Sequence, residues 1–318
     1  MRRIKIVGAT AVILVGVALA TVFAVSARGG DKASADFGEP GFVFQDADVE
    51  IDLTAEVMEW EVYPGEIVEA WGYNGSYPGP EIRVTEGQRV RINLINNLPE
   101  ATTIHFHGLD VPNDQDGVPG ITQPDVQPGE SWTYEFVVER VGTMVYHTHS
   151  NTAFQLAQGL YGFFIVEPEE GLDYDREYAL GLHEIKGLYT INGRSFPSTL
   201  DDNLLQIKMA ERILIRFANM GGQAHPFHLH GHQFEVVNID GNTMPPDWRQ
   251  NTIDIPPGQT VDVVIEGTNP GTWVFHCHTV SHVTNRGEYP GGMLTVLDYE
   301  DHTSYFDGQQ AKATEDGK

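Results

Sequence analysis

Short runs in which apolar and polar residues alternate recur along this chain, separated by Gly, Pro and Asn. Arg89 to Leu94 reads Arg-Val-Arg-Ile-Asn-Leu, and Glu81 to Val84, Trp132 to Val138, Arg212 to Phe217, Val261 to Ile265 and Met293 to Leu297 are similar short runs. Strict alternation over a few residues suits a half-buried strand, and punctuation by turn residues suits antiparallel sheets. Beyond the first thirty residues no segment holds a helical apolar period, so the pattern predicts an all-β fold built of sandwiches.

The start of the chain is different. Arg2, Arg3 and Lys5 precede an uncharged apolar stretch from Ile6 to Val25, and Val25-Ser26-Ala27 offers small residues for cleavage. Residues 1–27 read as an export signal peptide or an uncleaved N-terminal anchor, and 28–40 as a polar linker. The expected location is outside the cytoplasm, whether secreted, periplasmic or at the cell surface.

An internal repeat organises the remainder. Shifted by 129 positions, Gly142-Thr-Met-Val-Tyr-His-Thr-His149 lies on Gly271-Thr-Trp-Val-Phe-His-Cys-His278. Upstream the shift is 123, and Val90, Asn96, His105, His107 and Gly108 fall on Ile213, Asn219, His228, His230 and Gly231. The difference between the two shifts is a loop insertion. Two homologous domains are expected, 41–168 and 169–299, followed by a polar tail over 300–318.

Lys and Arg number 19 against 45 Asp and Glu, a formal net charge of −26. A field of that sign repels phosphate backbones and argues against a nucleic-acid partner. Cys277 is the only cysteine of the sequence, so no intrachain disulfide can form.

The 13 histidines carry the chemistry, because they cluster: His105-Phe-His107, His147-Thr-His149, His225-Pro-Phe-His228-Leu-His230, and His276-Cys277-His278 with His282 following. On a strand, residues i and i+2 share a face, so each His-x-His presents two imidazoles together. The middle residue points the other way. His276 and His278 therefore face one side while Cys277 faces its own domain's interior, and one tripeptide can serve two metal sites. Two imidazoles and a thiolate with a weak axial Met make the blue-copper geometry, and His225, Cys277 and His282, with Met293 beyond, supply such a set. His183 and His302 fall outside the pattern and read as surface or turn residues. His232 follows a pair by two positions and is given no ligand role.

The strings His-Phe-His-Gly, His-Thr-His, His-Pro-Phe-His-Leu-His-Gly-His and His-Cys-His-x₃-His resemble the four copper signatures of the multicopper oxidases. With two domains, the chain is similar to the small-laccase branch of that family. The resemblance implies two cupredoxin-like Greek-key sandwiches and four coppers per functional unit. His105 and His228 would hold the type 2 ion, and His107, His147, His149, His230, His276 and His278 the type 3 pair. His225, Cys277, His282 and Met293 would form the type 1 site, although Met293 stands further from His282 than the family's spacing, with Val283 to Gly292 as an inserted loop. Thr148 occupies the first domain's counterpart of Cys277, so only the second domain carries a blue site.

The family has a proton-relaying acid at the place of Asp116. Its branch often has a tyrosine where this chain has Val111. The activity implied is oxidation of phenols or aromatic amines, or of a metal ion, coupled to reduction of O₂ to water. Only 7 Met residues and no Met-rich loop argue against a dedicated cuprous-ion oxidase. A homotrimer with its trinuclear sites between subunits is expected, since equivalent faces of successive domains do not meet within one chain. The alternatives are a copper nitrite reductase-like enzyme, which would need its cysteine in the first domain, and a non-catalytic blue-copper protein, which leaves the first-domain histidines unused.

Overall fold

The computed structural model describes residues 47–302. The leader, the linker and most of the expected tail lie outside the described residues. Within them, eight strands form a first sandwich: β1 (Val49–Tyr63), β2 (Glu66–Tyr73), β3 (Gly79–Thr85), β4 (Arg89–Asn96), β5 (His105–His107), β6 (Ser131–Val137), β7 (Gly142–His147) and β8 (Tyr161–Glu167). One sheet has the order β2-β1-β4-β6 and the other β3-β8-β7-β5. Strand β4 shows why: every second residue, Val90, Ile92 and Leu94, is buried, while the arginines and asparagine between them are partly exposed. These side chains meet Phe106, Tyr146, Phe164 and Val166 of the opposite sheet in one apolar core.

The second sandwich runs from β9 to β20. Its strands are β9 (Arg176–Ile185), β10 (Leu188–Ile191), β11 (Leu205–Ile207), β12 (Arg212–Asn219), β13 (His225–Leu229), β14 (Phe234–Ile239) and β15 (Asn242–Thr243). They continue with β16 (Arg249–Gln250), β17 (Thr252–Ile255), β18 (Thr260–Glu266), β19 (Thr272–Cys277) and β20 (Leu294–Tyr299). One sheet has the order β10-β9-β12-β18-β14-β15, with β16 also on β14, and the other β11-β20-β19-β13-β17. Phe217, Phe227 and Phe275 pack edge to face or tilted at the centre of its core.

The repeat in the sequence is a repeat of register. His105 pairs opposite His147 between β5 and β7, and His228 opposite His276 between β13 and β19.

A third apolar cluster joins the sandwiches. Tyr161, Phe163 and Ile165 of β8 and Val145 of β7 meet Ile185, Leu188, Ala218 and Met220 of the second half. Strands β7 and β8 are therefore buried on both faces, and their sequences run apolar without alternation. Here His183 departs from the surface reading. It is buried in this junction, where the Tyr77 hydroxyl donates to its Nδ1 at 2.6 Å, and burial pushes it down to about 4. His302 is exposed in a bend, as expected. The all-β expectation holds, and two short helices, α1 (Thr152–Gln158) and the single turn α2 (Thr199–Asp202), interrupt the strands. Neither is long enough for a helical period to emerge, and no helix among the described residues is long and apolar enough to cross a membrane.

Candidate metal centre

Four imidazoles gather at one end of the first sandwich. The i, i+2 spacing on β5 sets His105 and His107 side by side, with ring centres 5.9 Å apart, and pairing to β7 brings His147 within 5.2 Å of His105. His149, just past the end of β7, lies 5.5 Å from His105. One ligand atom from each of His105, His107 and His147 lies within 4.8 Å of the others, the spacing of a metal-binding group.

The other ring edges are held by the backbone. His147 Nδ1 is 2.8 Å from the Thr148 carbonyl, and His105 Nδ1 is 2.8 Å from the Asp116 carbonyl and 3.2 Å from its Oδ1. A carbonyl only accepts, so each Nδ1 carries the proton and each Nε2 keeps a free lone pair. Burial pushes His147 down to about 3, and burial with the neighbouring His105 lowers His107. These two rings are neutral near pH 7, as ligation requires.

The second sandwich repeats the device. His276 Nδ1 is 2.9 Å from the Cys277 carbonyl, and His228 Nδ1 is 2.7 Å from the Asn251 carbonyl. His230 and His276 face each other Nε2 to Nε2 at 3.2 Å, and His278 lies 5.5 Å from His228. Among the described residues, no ring contact or hydrogen bond joins this quartet to the first. Instead His107 lies against Gly258, whose added Cβ would come within 3.5 Å of the ring.

Cys277 faces the opposite side of β19, fully buried. Its Sγ is 3.8 Å from His225 Nδ1 and 3.5 Å from His282 Nδ1, and the two nitrogens are 3.1 Å apart. Burial pushes the thiol up to about 11 and lowers His282 to about 4. A thiolate in such a place needs a cation beside it, and metal binding expels the proton. Two imidazoles and one thiol in a buried triangle therefore fit a copper ion chemically.

The loop after His282 returns Met293 to this site. Cys277 N–H donates to the Met293 carbonyl, and Met293 N–H donates to the His282 carbonyl. Gly292 makes the return possible, since its φ is +56° and a Cβ there would lie 2.0 Å from the His282 carbonyl oxygen. In the first sandwich the corresponding place is filled. Thr148 and Thr102 both donate to Gln155 Oε1 of α1, at 2.6 and 2.9 Å.

Sequence reasoning missed three neighbours of the Cys277 site. Tyr189 stacks on His282 with ring centres 4.0 Å apart, Gln223 Oε1 lies 3.3 Å from His282 Nε2, and Glu184 Oε1 lies 3.1 Å from His225 Nε2. Gln223 stands two residues before His225 and could have been suspected. Nothing local marks the other two. Val111 packs against the first core. His232 is held by the His230 carbonyl and the Tyr299 hydroxyl.

Two histidine-lined sandwiches, with a buried thiol flanked by imidazoles, offer the donor set of a two-domain copper protein. Residues 54–171 and 176–287 each match a family model described as multicopper oxidase. Among solved structures, the multicopper oxidase mgLAC is 34% identical with a TM-score of 0.77, covering 80% of this chain and 87% of its own. The blue copper oxidase from Nitrosomonas europaea is 33% identical with a TM-score of 0.75, covering 80% and 88%. The multicopper oxidase MCE of Talaromyces pinophilus is 45% identical over 101 residues, which is 31% of this chain and 16% of that protein. The chain spans less than half the length of the first curated relatives it matches. It belongs to the multicopper oxidases, and its fold is a pair of cupredoxin-like sandwiches.

Proposed function

We propose that this protein is a laccase-like oxidase that couples one-electron oxidation of phenols or aromatic amines to four-electron reduction of O₂ to two waters. Copper bound at these sites supplies the one-electron chemistry, with four ions to match four electrons. His225, Cys277, His282 and Met293 hold the type 1 ion, His105 and His228 the type 2 ion, and the other six cluster histidines the type 3 pair. The observation that carries the reading is Cys277 buried in its own triangle with His276 and His278 as chain neighbours facing the other way. That tripeptide gives electrons a short covalent path between the two sites.

His225 is wholly buried and His282 is 3% exposed, so the donor meets the site through the His282 edge, beside Tyr189. Val280 and Tyr289, 73% and 71% exposed on either side of His282 in sequence, offer apolar surface to an aromatic ring. Asp116, partly exposed and in contact with His105, delivers the protons that O₂ reduction consumes. The basic and then apolar start of the chain supports export, and residues 41–168 and 169–299 are read as the two domains.

No ring contact or hydrogen bond joins the two quartets among the described residues, and we read the assembly as a homotrimer in which each trinuclear site is completed by a neighbouring subunit. Copper-loaded protein should be blue and should consume O₂ with phenols, while Cys277→Ser should abolish both. A Cys277→Ser protein still oxidising phenols at the parent rate overturns the assignment. Mixing subunits tests the assembly. Cys277→Ser chains have an intact first quartet and His147→Ala chains an intact second domain, so co-assembled trimers should regain O₂ consumption that neither has alone. A fully active monomer holding four coppers would overturn the trimer.

A further inference from the structure

Glu184 lies on β9, far from His225 in sequence, and nothing in the established family assignment requires it. Its side chain reaches into the Cys277 site. Oε1 is 3.1 Å from His225 Nε2, both atoms are buried, and neither has another hydrogen-bond partner among the described residues. Oε2 accepts from the Gly222 N–H at 2.7 Å, in the turn leading into His225. The approach depends on Gly221, because a Cβ there would lie 2.1 Å from Oε2. The carboxylate is thus fixed from two sides before it meets the ring.

A neutral imidazole carries one N–H, and a carboxylate can only accept. The proton therefore sits on Nε2, leaving the lone pair on Nδ1, the atom that faces Cys277 and His282. Partners of this kind orient a ligating imidazole and raise its basicity. A nearby negative charge also favours the more positive of two copper states.

We propose that Glu184 is a positioning residue for the Cys277 site, holding His225 in the tautomer that presents Nδ1 and lowering the reduction potential of copper bound there. This rests on the type 1 reading above. The carboxylate also closes the Nε2 edge of His225 to donors.

The test uses the parent, Glu184→Gln, Glu184→Leu and Glu184→Asp. Redox titration of the blue absorption in copper-loaded protein should show a ten- to hundredfold shift towards reduced copper in Glu184→Gln, about 60–120 mV upward. Glu184→Asp keeps the charge and should stay within about threefold of the parent. Nitrogen NMR of the metal-free protein supplies a reading independent of copper: His225 should carry only Nε2–H in the parent and a mixture of tautomers in Glu184→Leu. Unchanged potentials in both uncharged variants, or an Nδ1–H ring in the metal-free parent, would overturn the proposal. Failure of the type 1 reading looks different, since the parent itself would then take up copper without turning blue.

Discussion

Removing one hydroxyl from the junction between the sandwiches should have a measurable cost. In Tyr77→Phe the ring keeps its volume and its edge contacts with Trp60, Tyr161 and His183, so no cavity opens. What disappears is the donor to His183 Nδ1 at 2.6 Å, together with a 3.2 Å contact to Thr190 Oγ1. His183 is 1% exposed, and the Leu156 backbone holds the ring's other edge, so water cannot replace the lost donor and a flip would strand another atom. A buried acceptor left without a partner costs about 1–3 kcal/mol. Urea unfolding at fixed copper loading measures it as a lower midpoint with unchanged slope. Replacing both partners should cost less than the sum, so Tyr77→Phe with His183→Leu should show a coupling of about 1 kcal/mol or more. A Tyr77→Phe protein within about 0.5 kcal/mol of the parent would refute the reading of this bond as a structural tie.

Two further outcomes follow from charged groups. Asp116→Asn leaves the backbone carbonyl that orients His105 in place and would remove the proposed proton carrier. Stopped-flow kinetics should show oxidation by O₂ slowed about a hundredfold while reduction by substrate is unchanged, as loss of general acid–base help predicts; equal rates in both halves would return Asp116 to a turn role. Asp262 is buried, and Arg216, its cation, is shared with Glu177, so burial pushes its carboxyl from 3.8 up to about 6. A folded value above the unfolded one means the folded state binds the proton more tightly. Stability from this group is present below about 4 and is lost as pH rises through about 6, by at most about 3 kcal/mol. Asp262→Asn should flatten that limb in unfolding midpoints taken from pH 4 to 7.5, and parallel profiles would count against it.

Much of the site was legible because its chemistry is local. A His-x-His on a strand fixes which side chains share a face, and the duplicated strings fixed which strands correspond. Met293 was expected from Gly-Gly-Met leading into an apolar run, and the structure brings its backbone to Cys277 and His282. Positions set by tertiary contact were not legible. Glu184 sits in β9 as one more acid in a strand, and its meeting with His225 depends on a turn elsewhere that has Gly221 and Gly222. His183 looked like a stray surface histidine because its partner Tyr77 belongs to the other half of the chain. Gln155 lies in a helix of seven residues, too short to register against the strand pattern around it.

The duplication also explains why the chain carries one thiol site rather than two. Both halves build the same paired strands with imidazoles on one face, and the difference lies in the residue between the last two histidines. In the second half that residue is Cys277, with His225 and His282 beside it and Met293 threaded between their backbones. In the first it is Thr148, whose hydroxyl, with Thr102, is bound to Gln155. These buried hydroxyls satisfy one another through the glutamine, so the place is a closed hydrogen-bonded plug, with no ligand set into which a metal could be admitted by a single substitution. Each chain thus provides one candidate site for taking up electrons and two half-sets of cluster histidines. Among the described residues those half-sets share no ring contact or hydrogen bond, and in the trimer proposed above a complete cluster would form where the second domain of one copy meets the first domain of another. On that proposal a dissociated, copper-loaded chain should keep the colour of its Cys277 site and lose oxygen consumption, and a monomer that consumes O₂ at the parent rate would refute it.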